Sequence, residues 1–173
     1  MLQVFRVIAL SLVFAAALVS CRKDGSSPSG SYHLSAKFDG ESKSFNTQVS
    51  AVKVQMLDGY TLAITGLNGT KETFSLALWS DMDGFHNGDV FHSVAEVNST
   101  YNSLGWAANI MNSNETTIWS STSSFVMSPE DITVTITEIT NEYVKGTFSG
   151  KVYQNVENPA TKTISSGEFK AKF

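Results

Sequence analysis

This chain contains only one cysteine. Its single thiol, Cys21, has no partner within the chain, so no internal disulfide can form and the core alone must hold the fold together. Runs of basic residues are also missing, and the formal net charge is −4, or −5 once Arg6 is removed with the leader described below. Such a mildly acidic chain is not expected to bind nucleic acid or to be attracted electrostatically to anionic lipid.

A long apolar run occurs only near the N-terminus. Val7–Val19 is interrupted only by Ser11, and it follows a short start with one positive charge, Arg6. The run has the length of a signal-peptide core and is too short to span a bilayer. A buried helix would carry polar residues on its solvent face, and this run has almost none. We therefore predict that residues 1–20 are a signal peptide.

The residues that follow predict a lipid anchor. Leu18-Val19-Ser20-Cys21 has the order of the bacterial lipobox, in which a branched apolar residue and two small or medium residues precede cysteine. The cysteine is required because a thiolate is the nucleophile that accepts the lipid. Two or three acyl chains hold a protein on a membrane almost permanently. We predict lipidation at Cys21 and a location in the cell envelope; the alternative is an ordinary secreted protein.

Residues 21–30 are predicted to form a flexible tether. Arg22 to Gly30 is rich in Ser, Gly and Pro and has nothing to bury, so it reaches at most about 30 Å when stretched. Arg22-Lys23-Asp24 resembles the short charged signal that directs Bacteroidetes lipoproteins to the outside of the outer membrane, with fewer acidic residues. This resemblance favours the outer membrane; a plain solvated tether is the alternative.

The remaining residues, 31–173, show the period-two alternation of β-strands. Leu34, Ala36 and Phe38 alternate with polar residues, and Val52, Val54 and Met56 alternate with Lys53 and Gln55. Turns are expected at Asp39-Gly40, Asp58-Gly59 and Asn68-Gly69, so 51–79 is predicted to be a three-stranded meander. Short strands at this spacing predict one all-β domain, an antiparallel β-sandwich, with a β-barrel as the alternative.

The C-terminal third carries a resemblance to a known family. Ile132-Thr-Val-Thr-Ile-Thr-Glu138, Val144-Lys-Gly-Thr-Phe-Ser149 and Ile164-Ser-Ser-Gly-Glu-Phe169 resemble an uncharacterised family of small Bacteroidetes lipoproteins with a β-rich domain of unknown function. Residues 40–130 match only as a run of strands. The resemblance implies a β-sandwich-like domain in the cell envelope, and it supplies no catalytic or binding residue.

Two long polar segments, Ser80–Asp89 and Asn98–Thr117, are candidate functional loops because they exceed what a connection requires. Asp81 and Asp83 begin a stretch with some likeness to a calcium loop, but glycine is fourth in it and His92 is twelfth, where such loops have glycine sixth and glutamate twelfth. His86 and His92 could bind a transition metal with either aspartate. A plain acidic loop is the alternative, and no metal site is predicted.

Aromatic residues cluster around these loops. Trp106 and Tyr101 are the candidate stacking residues of a ligand site, with Asp81 and Asp83 as polar contacts, because aromatic faces beside amides and carboxylates suit a sugar. The same pattern is typical of tryptophans that simply cap a core. A sugar site would make the protein a glycan-binding accessory of a polysaccharide-uptake system.

No sequence pattern predicts catalysis. The chain lacks a Gly-x-Ser-x-Gly elbow, and its only thiol is assigned to the anchor. Two carboxylates could still meet in space, which would leave a hydrolase with unrecognised catalytic residues. The sequence therefore predicts a lipid-anchored, non-catalytic binding or structural module, without a cofactor, whose partners are the membrane and either a glycan or an envelope protein.

Overall fold

The computed structural model describes residues 32–69, 71–93, 102–122, 126 and 132–173. This part of the chain consists of β-strands joined by turns and loops and contains no helix, which confirms the predicted all-β fold. None of these ranges therefore provides a helix long and apolar enough to cross a membrane. The predicted signal peptide, Cys21 and tether lie outside the described residues. The strands are β1 His33–Phe38, β2 Glu41–Ser44, β3 Thr47–Met56, β4 Gly59–Asn68, β5 Glu72–Ser80, β6 Val90–His92, β7 Ser103–Ala108, β8 Thr117–Ser120, β9 Thr133–Ile139, β10 Tyr143–Gln154 and β11 Thr161–Lys172.

The strands form a β-sandwich with two layers. The first layer has the order β2-β1-β11-β10-β9-β6, and the second has the order β3-β4-β5-β7-β8. Neighbouring strands are antiparallel within each layer, and the contact between β11 and β3 is parallel. The first strand among the described residues begins at His33.

Both edge strands of the second layer are joined to the two central strands of the first layer. β11 meets β3 through the single pair Lys172–Ser50, and β10 meets β8 through two pairs that begin at Tyr153–Ser120. The pairings therefore run in a closed ring through β11, β3, β4, β5, β7, β8 and β10, which makes the sandwich barrel-like. The β11–β3 contact is the shortest connection in this ring.

Both layers contribute aromatic side chains to one core. Phe74 of β5 stacks on Phe148 of β10 with ring centroids 5.2 Å apart, and Phe38 of β1 meets Phe74 edge to face at 5.7 Å. Burial of each such side chain contributes roughly 1.5–3 kcal/mol, which stabilises the fold without a disulfide. The alternation predicted for the C-terminal strands is confirmed. The buried residues there include Ile132, Val134, Ile136, Phe148, Val152, Phe169 and Ala171.

Two glycine–phenylalanine pairs explain part of the C-terminal sequence motifs. Gly146 lies opposite Phe169, and Gly167 lies opposite Phe148, across the β10–β11 hairpin. A Cβ atom on Gly167 would lie 2.6 Å from a ring carbon of Phe148, closer than atoms can approach without displacement. The aromatic ring occupies the space that the glycine leaves open, an arrangement that pins the register of neighbouring strands. These motifs therefore encode strand pairing.

The turn at Asp39-Gly40 connects β1 to β2 as predicted. Both residues have positive φ, 50° and 88°, which is the geometry of a tight hairpin turn. Asp39 also anchors this hairpin to β11, because its carboxylate accepts hydrogen bonds from the Thr163 N–H at 2.8 Å and from Lys162 Nζ at 3.0 Å. The Thr163 hydrogen bond, followed by that of Lys162, lowers the pKa of Asp39.

Strand β3 differs from the expectation that its apolar residues are buried. Val52 and Met56 are exposed at 42% and 40%, and Val54 is half-buried, whereas the core residue of this strand is Ala51. The reason is the pairing of β3 with β4, in which Val54 lies opposite Thr61 and Lys53 lies opposite Leu62. Residues directly opposite each other share a face of the sheet, and Leu62 points into the core. The turn also falls at residues 57–58, one residue before the predicted Asp58-Gly59.

Candidate binding surface

The segment Ser80–Asp89, which we call the acidic loop, begins with a compact turn. Asp81 accepts a backbone hydrogen bond from Asp83 N at 3.1 Å through Oδ1, and its carbonyl accepts one from Gly84 N at 3.1 Å. Ser80 Oγ donates to the carbonyl of Gly84, which has φ 83°. Both aspartates are exposed. One carboxylate oxygen of Asp81 is therefore already occupied by a hydrogen bond within the turn, as is common for Asp in ordinary loops.

The second half of this loop is bound to β9. The carbonyl of Asp89 accepts a hydrogen bond from Ile136 N at 2.9 Å, and Gly88 N donates one to the carbonyl of Ile136 at 2.8 Å. Asn87 Oδ1 accepts a bond from Ile139 N at 2.7 Å. Asp89 Oδ2 also accepts a bond from His86 N at 2.7 Å, whereas His92 Nδ1 lies 3.2 Å from the carbonyl of Ile132. Among the described residues, no three or more His, Cys, Asp or Glu side chains are grouped where they could hold a metal ion.

Trp106 lies in the core. It is 7% exposed, its ring centroid is 5.5 Å from that of Trp119, and the ring of Phe38 is 5.1 Å away. A sugar needs an exposed aromatic face to stack on, so this buried ring is not available as the predicted stacking surface. Tyr101, the other predicted stacking residue, lies outside the described residues.

A half-buried ion pair between Lys43 and Glu72 lies against the ring of Trp106. Lys43 Nζ lies 2.8 Å from Glu72 Oε1 and 4.9 Å from the centre of the Trp106 ring. The side chains of Lys43 and Glu72 are 20% and 15% exposed. The ammonium group is therefore held between a carboxylate and an aromatic face, an arrangement that stabilises a cation and ties β2 to β5.

The outer face of the second layer carries no charged side chain on its strands. Alternate residues of β3, β4, β5, β7 and β8 point outward from this layer, and they are small, hydroxyl-bearing or apolar. We call this surface the uncharged face. It consists of Val52, Val54, Met56, Thr61, Ala63, Thr65, Leu67, Thr73, Ser75, Ala77, Trp79, Ser103, Gly105, Ala107, Ile118 and Ser120.

Trp79 is the aromatic residue of the uncharged face. It is half-buried and lies opposite Thr61, and a Cβ atom on Gly59 would lie 3.0 Å from its ring, so the indole packs over that glycine. Its backbone N–H donates a 2.8 Å hydrogen bond to Asn102 Oδ1. The indole therefore packs closely against the backbone of the sheet at Gly59, where a side chain would leave no room for it.

The outer face of the first layer is charged. Lys145 and Lys170 lie opposite each other on β10 and β11, and Glu168 follows on the same face of β11. Lys170 Nζ lies 4.3 Å from the centre of the Tyr143 ring, and the hydroxyl of that tyrosine donates to Glu138, which raises the pKa of Tyr143. Such a face is ordinary for a protein in water. The contrast makes the uncharged face the unusual surface of the domain.

One edge of the uncharged face is open. Beyond the Lys172–Ser50 pair, β3 has no strand neighbour on that side among the residues that the structure describes. The backbone of Val52–Met56 is therefore available to pair with another strand on that side. A groove of about 450 Å³ lies at the start of this open edge, and Leu57 at the following turn is fully exposed. The groove is lined by Ala51, Val52, Lys53, Thr140, Asn141 and Phe173.

The sequence did contain a signal for the uncharged face. A tight turn near residue 58 pairs even-numbered residues of β3 with odd-numbered residues of β4. Val52, Val54 and Met56 therefore cannot share a face with Leu62 and Ile64, and only one of these two sets can lie in the core. Leu62 and Ile64 belong to a strand with neighbours on both sides, which favours their burial.

Comparison with known proteins adds no assignment. No family model, no curated protein and no solved structure matches this chain.

Proposed function

We propose that this chain is a lipid-anchored protein of the cell envelope, held in the outer membrane through Cys21, and that its domain is a non-catalytic module that binds a partner on the uncharged face. The lipobox supports the anchor. The uncharged face carries the binding role, because it is a broad surface of small, hydroxyl and apolar groups with three exposed apolar side chains, Val52, Met56 and Ile118. A face without ionisable groups supplies contacts, whereas acid–base chemistry needs titratable side chains.

The composition of this face favours a neutral partner. A charged partner would lose its hydration on this surface and gain no opposite charge in return, which is costly. A neutral partner loses less, and the hydroxyl groups of Thr61, Thr65, Thr73 and Ser75 can form hydrogen bonds with it. A broad sheet surface of this kind suits an extended ligand or the sheet surface of another protein.

A glycan-binding accessory of a polysaccharide-uptake system is the second candidate function, and one observation favours it. Trp79 lies on the uncharged face beside Thr61, so an indole and a hydroxyl adjoin on one surface. Sugar rings combine an apolar face with peripheral hydroxyls, and both parts of such a ring would find a counterpart here. This candidate replaces Trp106 by Trp79 as the stacking residue.

Charge insertion tests the binding surface. We expect Thr65→Glu, on β4 of the uncharged face, to weaken binding at least about tenfold, because a buried unpaired charge costs more than the equivalent 1.4 kcal/mol. Binding would be measured in two ways: by retardation of the purified protein in gels that contain neutral glucans or xylans, and by photo-cross-linking from position 65 in intact cells.

Thr147→Glu is the matched control, since Thr147 is exposed on the charged face. It should leave the retardation unchanged, and a photo-cross-linker at position 147 should give no specific product. Retardation lost in Thr65→Glu supports the glycan candidate, and a specific cross-linked envelope protein supports a protein partner. If position 65 gives neither result, the uncharged face is not a binding surface.

A further inference from the structure

The open edge of β3 has a sequence that can pair with itself. When two copies of Val52–Met56 lie antiparallel with Val54 at the centre, Val54 faces Val54 of the second copy and Val52 faces Met56. In this register Lys53 faces Gln55, so no like charges lie directly opposite each other, as stable sheet pairing requires. A register centred on Lys53 would place two ammonium groups face to face.

The exposed Leu57 fits the same arrangement. Leu57 follows Met56 at the turn between β3 and β4, and it is 104% exposed although leucine is normally buried. In the register centred on Val54, Leu57 of the second copy arrives at the end of the paired segment next to Ala51. The groove lined by Ala51 and Phe173 lies at that point, with a volume of about 450 Å³, which is ample for one leucine side chain.

We propose that two copies of this protein associate through β3, with each Val52–Met56 segment adding a strand to the other copy and each Leu57 entering the groove of the other. The contact is two-fold symmetric, so every contact occurs twice, as in most homodimers. The pairing does not depend on which ligand the domain binds.

Charge and continuity favour a second copy over an unrelated strand. The described edge offers a single charge, Lys53, and no charged pattern that would select another partner, whereas its apolar residues match their own two-fold copy. The pairing would also join two five-stranded layers edge to edge. The two uncharged faces would then form one continuous surface, which protects the apolar side chains of β3 without interrupting the proposed binding surface.

Attachment to a membrane would assist this contact. Two short strands and two leucines form a small interface, and small interfaces are usually weak and transient. Anchored proteins share a thin layer, which raises their effective concentration without any new contact. The full lipidated chain in its own membrane is therefore the form in which the association should be measured.

Disulfide cross-linking gives a direct test. In membranes that carry the full chain with Val54→Cys, mild oxidation should produce a homodimer, because opposed residues of paired strands lie within the Cα separation that a disulfide bridges, about 4.4–6.8 Å. The unchanged chain has only Cys21 and controls for cross-linking through that thiol. Thr147→Cys, exposed on the charged face, should not cross-link above that background.

A second substitution tests the leucine. Leu57→Asp in the Val54→Cys chain should reduce the cross-linked fraction at least about tenfold, the factor that corresponds to loss of one buried leucine. Met111→Asp is the matched control, since Met111 is also an exposed apolar residue, at 75%, outside the open edge. Because both side chains are exposed, neither change should unfold the protein, and circular dichroism of the purified chains checks this.

Three results would overturn the proposal. These are cross-linking of Val54→Cys no greater than that of Thr147→Cys, cross-linking that survives Leu57→Asp, and a cross-linked product that contains a different protein. The last result would assign the edge to a heterologous strand. Failure of this test leaves the proposed function intact, because cross-linking from position 54 reports on strand pairing at the open edge, whereas the tests at position 65 report on binding to the uncharged face.

Discussion

Trp106 and Trp119 lie directly opposite each other on β7 and β8, with ring centroids 5.5 Å apart and ring planes inclined at 31°. Both are more than nine-tenths buried, and neither indole N–H finds a hydrogen-bond acceptor among the described residues. The pair therefore contributes packing to the core while carrying two polar groups that gain nothing from folding. Removal of one indole N–H should separate these two effects.

We expect Trp106→Phe to change the free energy of unfolding by less than about 1.5 kcal/mol. Burial of an unpaired donor costs about 1–3 kcal/mol, so its removal is favourable and offsets the loss of ring area. Trp106→Ala should destabilise by about 3–5 kcal/mol, since it leaves a cavity. Urea unfolding followed by circular dichroism measures both. Equal destabilisation by the two substitutions would show that the indole N–H has a partner in solution.

Phe148 provides a test of the register of β10. It is 3% exposed and stacks on Phe74, so Phe148→Ala should destabilise by about 3–5 kcal/mol. The neighbouring Thr147 is exposed, and Thr147→Ala should stay within about 0.5 kcal/mol. Thermal or urea unfolding distinguishes these values. An effect of Phe148→Ala below about 1 kcal/mol would place that face of the strand in solvent.

Asp39 should make a pH-dependent contribution to stability. Its pKa in the folded protein is lowered from the ordinary value of 3.8, chiefly by the Thr163 N–H bond and then by Lys162. The unfolded chain therefore binds the proton more readily, so the stabilisation is present above pH 3.8 and is lost as the pH falls through the lowered value. The side chain is 48% exposed, which limits the effect to about 0.5–1 kcal/mol.

Asp39→Asn is the variant for this measurement, because asparagine tolerates the positive φ of the turn. Its urea midpoint should be lower than that of the unchanged protein at pH 7, and the two midpoints should lie closer together at about pH 2, because the carboxylate takes up a proton as the pH falls through its lowered pKa. A constant difference between the midpoints at both pH values would show that the carboxylate charge contributes nothing.

The proposed lipid anchor predicts the mass of the mature N-terminus. Mass spectrometry of the membrane protein should find the chain starting at Cys21 with acyl groups attached, because the lipobox ends there. Cys21→Ala should give an unprocessed precursor or a protein that is no longer held in the membrane. Detection of an unmodified Cys21 in the mature chain would remove the basis for the anchor.

Local patterns of the sequence predicted the strands but not the face that each strand buries. Asp39-Gly40 and the alternation around Phe148 each specify a turn or a strand with near neighbours only, and both were correct. Val52, Val54 and Met56 have the same alternation, yet their direction depends on pairing with Thr61 and Ala63. In an alternating strand either the odd-numbered or the even-numbered residues can face the core, and pairing with the neighbouring strand decides which set does.

The candidate site depended still more on tertiary structure. Trp106 lies within the polar segment Asn98–Thr117, which is typical of a binding loop, but its strand places it opposite Trp119 in the core. The uncharged face consists of every second residue of five strands, so its members are not adjacent in the sequence and form no contiguous motif. Aligning the strands in register is the step that brings Thr65, Ser75 and Trp79 together.

The place where the chain enters the domain governs how the domain is presented. The first strand starts at His33 and belongs to the layer with the charged outer face, while the uncharged face is on the opposite side of the sandwich, about 10 Å of packed sheet away. If Cys21 carries the proposed lipid, the attachment reaches the domain through the first layer, because β1 belongs to that layer. The layer with the uncharged face would then carry no attachment of its own, and its outer side would stay accessible to a partner.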